Sequence, residues 1–167
     1  MLKKTNINKK GLNVSKKGIT VVEILVVVFV LLVAFVGILG LLTFSLKTSS
    51  LIKKTTYANF LAQETIESVR NFRDGTDWDI DGLGSLTAGI YHPEKTADVP
   101  PKWNLVSGEE TINNFTRKIV IENVQRDGSD IIVESGGIND PETKKIIITA
   151  SWENQAVEIT TYFTNWR

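Results

Sequence analysis

The stretch that decides the architecture of this 167-residue chain runs from Lys16 to Leu42 and reads KKGITVVEILVVVFVLLVAFVGILGLL. From Ile24 onward, every residue in it is apolar or glycine. Extended to Phe44, the run counts 21 residues, which as an α-helix is about 31 Å long. The hydrocarbon core of a bilayer is about 30 Å thick. The run therefore predicts one membrane-spanning helix near the N-terminus, over residues 19–44.

The flanks of this span distinguish it from a secretory signal and predict its orientation. A secretory signal has an apolar core of about 7–15 residues and then a small-residue cleavage motif. Here the run is longer, and no Ala-x-Ala motif follows it. Lysines on the N-terminal side are Lys3, Lys4, Lys9, Lys10, Lys16 and Lys17, and those on the C-terminal side are Lys47, Lys53 and Lys54. The excess before the span predicts a cytoplasmic N-terminus and a globular part outside the cytoplasm.

The balanced total charge hides an asymmetry between the first 18 residues and the rest. The chain has 19 basic and 19 acidic residues, and residues 1–18 contain six lysines and no acid. Residues 19–167 therefore hold 19 − 6 = 13 basic and 19 acidic residues, a net charge of −6. Non-specific nucleic-acid binding needs clustered Lys and Arg, so nucleic acid is not an expected partner. Because the chain has no cysteine, disulfides, thiolate metal sites and cysteine nucleophiles are excluded.

After the span, the sequence predicts an amphipathic helix over residues 45–74. Its apolar positions recur at the 3.6-residue period and are Ala58, Leu61, Ala62, Thr65, Ile66, Val69 and Phe72. The polar face holds Gln63, Glu64, Glu67, Ser68, Arg70 and Asn71. Arg73-Asp74-Gly75 is a helical stop, and no proline interrupts residues 19–75, so one helix of about 50 residues is expected.

The C-terminal part, residues 75–167, predicts a small β head. Residues 75–114 are rich in glycine and proline and predict a long irregular connection, with one short strand near Ile90. Strand patterns follow over 115–124, 146–152 and 157–163, with a longer turn at 135–142 and a tight hairpin at Asn154-Gln155. An antiparallel sheet would cover the apolar face of the helix, since neither element can hide that face alone. The fold class is therefore α+β.

Two lysines and Gly18 precede the apolar run, and Glu23 is the fifth residue after the glycine. This junction resembles the cleavage and methylation segment of type IV prepilins and of type II secretion pseudopilins. The resemblance implies that a prepilin peptidase removes the leader 1–18 by cutting between Gly18 and Ile19, and that Ile19 is then N-methylated. The commonest family residue at the new N-terminus is phenylalanine, so isoleucine is a departure.

Glu23 has two interpretations. A carboxylate at the edge of a bilayer can simply reach the headgroups, but one placed in an apolar span is a functional hypothesis by default. In the family, the matching glutamate pairs with the N-terminal amine of a neighbouring subunit, which implies an assembly role for Glu23. The segment 59–70, NFLAQETIESVR, also looks like the corresponding helix of minor pilins and pseudopilins.

The resemblance implies a pilin-like fold and a structural role in a type IV pilus-like or pseudopilus filament. Implied partners are other pilin or pseudopilin subunits, the prepilin peptidase, an inner-membrane assembly platform and membrane lipid. Such a subunit is a single-pass protein of the cytoplasmic membrane before assembly and part of an extracellular or periplasmic filament afterwards. One alternative is a minor tip pilin whose head binds DNA, a surface or secreted cargo. Its basic patch would comprise Arg117, Lys118, Lys144 and Lys145. The other alternative is an unprocessed, signal-anchored membrane protein.

Metal and catalytic chemistry find little support in the sequence. Asp77, Asp79 and Asp81 match the first three ligand positions of a calcium loop, but position 12 is Ala88 and not the required glutamate. A solvated acidic turn is the favoured interpretation, with no metal or cofactor expected. The only histidine, His92, precedes Pro93 in a predicted loop, and hydrolase, zincin and phosphate-loop motifs are missing. No enzymatic activity is expected.

Overall fold

The computed structural model describes residues 18–166. The rest of the predicted leader, residues 1–17, lies outside the described part of the chain. The described residues form one long helix and a small antiparallel sheet, which confirms the α+β class. The chain divides into two compact units, Met1–Lys47 and Thr48–Arg167.

Helix α1 runs from Val21 to Gly75 and ends where the sequence predicts. In the first unit, its apolar side chains are all exposed. By length and composition, this helix is suited to crossing a membrane.

In the second unit, the C-terminal part of α1 packs against a seven-stranded sheet. The strands are β1 (Gly89–Lys95), β2 (Trp103–Ser107), β3 (Glu110–Ile112), β4 (Phe115–Arg126), β5 (Ile132–Val133), β6 (Ile138–Trp152) and β7 (Gln155–Thr164). The order across the sheet is β2-β1-β4-β6-β7, and β3 and β5 also pair with β4. All pairings are antiparallel.

The core of the second unit forms because helical and strand periodicities present two apolar surfaces to each other. Leu61 and Val69 from α1 are buried together with Ile119 of β4 and Ile148 of β6. The predicted apolar helix face is buried except for Ile66, which is half-buried. Ser68 differs from the sequence-based expectation, since it is fully buried and not on the polar face. Its hydroxyl donates to the Thr65 carbonyl at 2.7 Å, which satisfies the polar group inside the core.

Residues 75–114 contain three strands where the sequence predicts an irregular connection with one short strand. These strands depend on partners far along the chain, such as Tyr91 of β1 opposite Ile119 of β4, and local patterning carries little of that information. His92 and Pro93 accordingly lie in β1, not in a loop. Pro93 pairs with Leu105 of β2, and the described pairing of β1 with β4 ends at Tyr91.

Two predicted turns are displaced. The hairpin between β6 and β7 turns at Glu153 and Asn154, one residue before the predicted pair, and Glu153 has a φ of 49°. Residues 138–142, placed by the sequence in a longer turn, belong to β6. There the register slips, because Asn123 pairs with Lys144 whereas the next residue of β4 pairs with Asp140. This bulge admits a proline, which has no N–H to donate, into a long strand.

Candidate processing and assembly site

The predicted processing residues lie just before α1. Gly18 and Ile19 precede the helix and are exposed, and Val21 is its first residue. A Cβ added to Gly18 would meet no described atom within 4 Å. The fold therefore sets no steric requirement for glycine at this position, and any requirement must come from another molecule.

Thr20 caps this helix, a role that the sequence-based reasoning missed. Its side-chain oxygen accepts the backbone N–H of Glu23 at 3.3 Å, and its carbonyl accepts the N–H groups of Glu23 at 3.0 Å and Ile24 at 3.2 Å. The spacing Thr20-x-x-Glu23 is the signature of a capping box, and it could have been read from the sequence. The cap defines where the helix begins, directly after the predicted cut.

Only one half of that capping box forms. The Glu23 carboxylate has no hydrogen-bond or ion-pair partner among residues 18–166, and Glu23 is exposed in the first turn of α1. An acidic group in this turn is favoured by the partial positive charge of the helix N-terminus. Four residues, about one helical turn, separate Glu23 from Ile19. The side chain is thus held on a regular helix beside the predicted new N-terminus, and its carboxylate remains available.

Of the three aspartates considered as weak metal candidates, Asp77, Asp79 and Asp81, the first and the last use their carboxylates to cap a turn. Asp77 Oδ1 accepts the N–H groups of Asp79 at 3.2 Å and Ile80 at 3.3 Å. Asp81 Oδ1 accepts the Asp77 N–H at 2.8 Å. In the part of the chain that the structure describes, no group of three or more His, Asp or Glu side chains could hold a metal ion. The geometry is that of an acidic turn after the helix.

The four basic residues suggested as a nucleic-acid patch do not form one. Arg117 is only 4% exposed, and its guanidinium binds the carboxylates of Glu64 and Glu110. Lys144 is 7% exposed, while Lys145 binds the Glu122 carboxylate at 2.9 Å. Side chains alternate along a strand, so Lys118 and Lys145 lie on the sheet face opposite to that of the two buried residues. The prediction of a shared basic surface is therefore wrong, because three of its four charges are used within the fold.

One buried group and one half-buried group, Lys144 and Asp140, have pKa values shifted by their surroundings. Burial lowers the pKa of the Lys144 ammonium, whose Nζ donates to the Leu86 carbonyl at 3.1 Å and to Asn123 Oδ1 at 2.8 Å. Burial alone would raise the pKa of Asp140, but hydrogen bonds from Arg126, Thr143 and the Glu142 N–H outweigh it and lower that pKa. Both groups belong to the second unit, whereas the processing residues belong to the first.

Comparisons with known proteins identify no relative: no family model matches the chain, and no match is found among the curated proteins or the solved structures.

Proposed function

We propose that this chain is a structural subunit of a type IV pilus-like or pseudopilus filament, cleaved after Gly18 and assembled through its apolar N-terminal helix. The observation that carries the proposal is the junction itself. A lysine-rich leader ends at Gly18, the capped helix starts two residues past the cut, and an unpaired carboxylate follows at Glu23. In the second unit, the helix packs against an antiparallel sheet, and this α+β layout is compatible with the proposal.

Cleavage supplies the partner that Glu23 lacks. Cutting after Gly18 creates an ammonium group at Ile19. A lone carboxylate in an apolar bundle costs on the order of several kcal/mol, and pairing with a cation offsets that cost. Within one helix, the amine and Glu23 are separated along the axis, whereas two subunits staggered along a filament bring one amine beside the next carboxylate. Assembly therefore depends on prior cleavage.

The exposed apolar helix of the first unit must be shielded from water both before and after assembly. Before assembly, lipid of the cytoplasmic membrane surrounds it, with the N-terminus inside and the head outside. After extraction by the membrane assembly platform, neighbouring helices replace the lipid. Heterologous contacts of this kind do not close, so they generate a helical filament.

The first test is the intact mass and N-terminal sequence of the chain co-expressed with a prepilin peptidase. The expected product begins at Ile19, with or without one added methyl group. Gly18→Val should block cleavage, whereas the matched variant Gly37→Val should be cut normally, since an added Cβ meets no described atom at either position. A chain still starting at Met1, while a control prepilin is cut, would favour the unprocessed signal anchor.

A second test separates processing from assembly. Glu23→Gln keeps the shape of the side chain and removes its charge, so the variant should be cut after Gly18 but should not enter filaments seen by electron microscopy. Glu67→Gln is the matched control, because Glu67 is an exposed helix carboxylate in the second unit that pairs with Arg70. Normal filaments from Glu23→Gln would contradict the pairing.

A further inference from the structure

Strand β7 forms one edge of the sheet, and its outer side is unpaired. It runs for ten residues, from Gln155 to Thr164, and pairs with β6 along its whole length without a bulge. No other strand within residues 18–166 pairs with it. Backbone N–H and C=O groups on such an edge are a template for pairing with another chain. The edge is therefore a candidate interaction surface, and the proposed filament role makes no use of it.

The ladder between β6 and β7 determines which residues of β7 point outward. Asn165 donates its N–H to the Glu142 carbonyl at 2.8 Å, one pair beyond the last strand pair. Hydrogen-bonded and non-bonded pairs alternate in an antiparallel ladder. The odd-numbered residues of β7 therefore bond to β6, and the even-numbered ones direct their N–H and C=O groups outward. The outward residues are Ala156, Glu158, Thr160, Tyr162 and Thr164, and all five are exposed.

Strand β7 lacks the features that usually protect a long edge from pairing. Those features are a short strand, proline, lysine and bulges. The opposite edge strand, β2, has five residues and directly follows Pro100, Pro101 and Lys102. By contrast, β7 contains no proline, lysine or arginine, and Glu158 is its only charged residue. This difference between two edges of one sheet indicates that β7 is an edge with a partner.

We propose that β7 pairs antiparallel with β7 of a second copy of this chain. One register pairs all five outward residues of both strands. It places Thr160 opposite its own copy, Glu158 opposite Tyr162 of the other copy, and Ala156 opposite Thr164 of the other copy. Every other antiparallel register places at least one outward residue opposite a position beyond the strand.

The side chains of β7 are complementary to themselves in this register. Like charges directly opposite each other destabilise a sheet, whereas threonine pairs stabilise it. Glu158, the only charge, lies opposite the Tyr162 hydroxyl, which can donate to its carboxylate. Thr160 lies opposite Thr160. On the other face, the half-buried Val157 lies opposite Phe163 of the other copy. These matches favour a copy of the same strand over an unrelated extended peptide.

The contact is independent of the proposed processing and assembly site. It is isologous, so it closes at two copies, unlike the heterologous helix contacts of a filament. All of its residues belong to the second unit, and none of its steps requires cleavage after Gly18. The uncleaved chain should therefore pair through β7 whether or not it enters filaments.

The test is cysteine cross-linking of the full, uncleaved chain in detergent, since the chain has no cysteine of its own. After mild oxidation, non-reducing electrophoresis and intact mass measure the dimer. Thr160→Cys should form a disulfide-linked dimer, because Cα atoms of a hydrogen-bonded pair are about 5.5 Å apart and a disulfide spans about 4.4–6.8 Å. Glu158→Cys, exposed on the same strand, should stay monomeric, because its two copies lie about 14 Å apart.

A mixture of two variants tests the register. Glu158→Cys and Tyr162→Cys should each stay monomeric alone. Combined, they should give a mixed disulfide-linked dimer, because positions 158 and 162 of the two copies lie opposite each other. Intact mass distinguishes the mixed dimer from either dimer of one variant.

A proline variant tests the backbone pairing. Thr160→Pro removes an outward N–H at the centre of the contact and leaves the bonds to β6 in place. Added to the two cysteine variants, it should abolish the mixed dimer, whereas Thr160→Val, which keeps the N–H, should retain it. Equal tryptophan emission shows that both heads are folded. Three results would each overturn the proposal: Thr160→Cys stays monomeric, Glu158→Cys alone cross-links as well as Thr160→Cys, or the mixed dimer persists with Thr160→Pro.

Discussion

At the scale of single residues, Arg117 links the helix to the sheet through ion pairs within the second unit. Its side chain is buried and binds Glu64 of α1 through Nη1 at 3.0 Å, while Nη2 and Nε bind Glu110 of β3. Arginine suits this position because its planar fork can serve two carboxylates at once. The glutamates are about one-third exposed, so water partly solvates the acidic side of the cluster.

Arg117→Gln should lower the free energy of unfolding by about 3 kcal/mol, because it leaves two carboxylates at the core margin without their cation. Urea unfolding of the full chain, followed by tryptophan fluorescence, measures the change. Arg70→Gln is the control, since Arg70 and Glu67 form an exposed pair, and its effect should stay below about 0.5 kcal/mol. Equal effects of the two variants would contradict a special role for Arg117.

Lys144 should make the stability of the head rise with pH over part of the alkaline range. Burial lowers its pKa in the folded chain below the ordinary 10.5. Between the lowered folded value and about 10.5, the unfolded chain holds more protons than the folded chain, so stability rises with pH. The measurement is the free energy of unfolding between about pH 8 and about pH 10.5. Lys144→Met should remove the rise of this free energy with pH. Lys118→Met, on the opposite sheet face, should retain it. An unchanged slope in Lys144→Met would show that burial does not affect this ammonium.

At the scale of elements, the hairpin between β3 and β4 depends on two asparagines with positive φ. Asn113 and Asn114 have φ values of 49° and 68°, which suits a two-residue turn of the primed type. Asn113 also donates from Nδ2 to the Tyr57 hydroxyl at 3.2 Å. The Asn-Asn pair could have been read from the sequence as a turn signal, but neither the pair nor the short β3 strand before it was recognised there.

Asn114→Val should lower the free energy of unfolding by about 1–2 kcal/mol, because a β-branched residue is strained at positive φ. Asn114→Gly should remain within about 0.5 kcal/mol of wild type, since glycine adopts this conformation freely. Asn114 is exposed, so lost packing does not complicate the comparison. Chemical denaturation distinguishes the pair, and equal stabilities would show that the turn adopts another conformation.

Strand β6 is longer than its sequence pattern predicts, because tertiary contacts extend it. The alternation over 146–152 was predicted, but the strand begins at Ile138, before an Asp-Pro pair typical of turns. Arg126 Nε donates to Asp140 Oδ2 at 2.7 Å and fixes this segment against β4 beyond the bulge. No local signal identifies that partnership, because the two residues meet only once β4 and β6 are paired.

At the scale of the whole molecule, the buried core belongs to one unit. Every buried hydrophobic residue among those described falls between Ala58 and Phe163, within Thr48–Arg167. The apolar residues of the first unit are exposed and contribute nothing to that core. We therefore expect the head to fold without the span.

Residues 48–167 produced alone should unfold in urea at the same midpoint as the full chain in detergent, and with the same tryptophan emission. The reason is that the core and the Arg117 cluster are complete within this unit. Side-by-side denaturation curves measure it. A fragment that is unfolded, or whose midpoint is clearly lower, would show that the span stabilises the head.

The membrane-suited helix and its stop at Gly75 were predictable because hydrophobicity and helical period are local properties of the chain. The candidate processing residues were likewise read from consecutive positions, Gly18 to Glu23, although the Thr20 cap went unnoticed. The burial of Lys144 was not predictable, since its ammonium donates to acceptors that only the folded chain brings to it. Ser68 was assigned to the polar face by residue type, although its hydroxyl donates to a carbonyl three residues earlier in the same helix.

By itself, the sequence determined an apolar helix of membrane-spanning length, an amphipathic continuation and a β head, because each follows from periodic patterns within one segment. Only the tertiary structure decided which strands fill residues 75–114, where β6 bulges, and which charges are removed from the surface. It also brought residues of β4, β5, β6 and β7 together around one cleft. Strand pairing joins residues far apart in the chain, and the free energy of each such contact depends on a partner that no local pattern specifies.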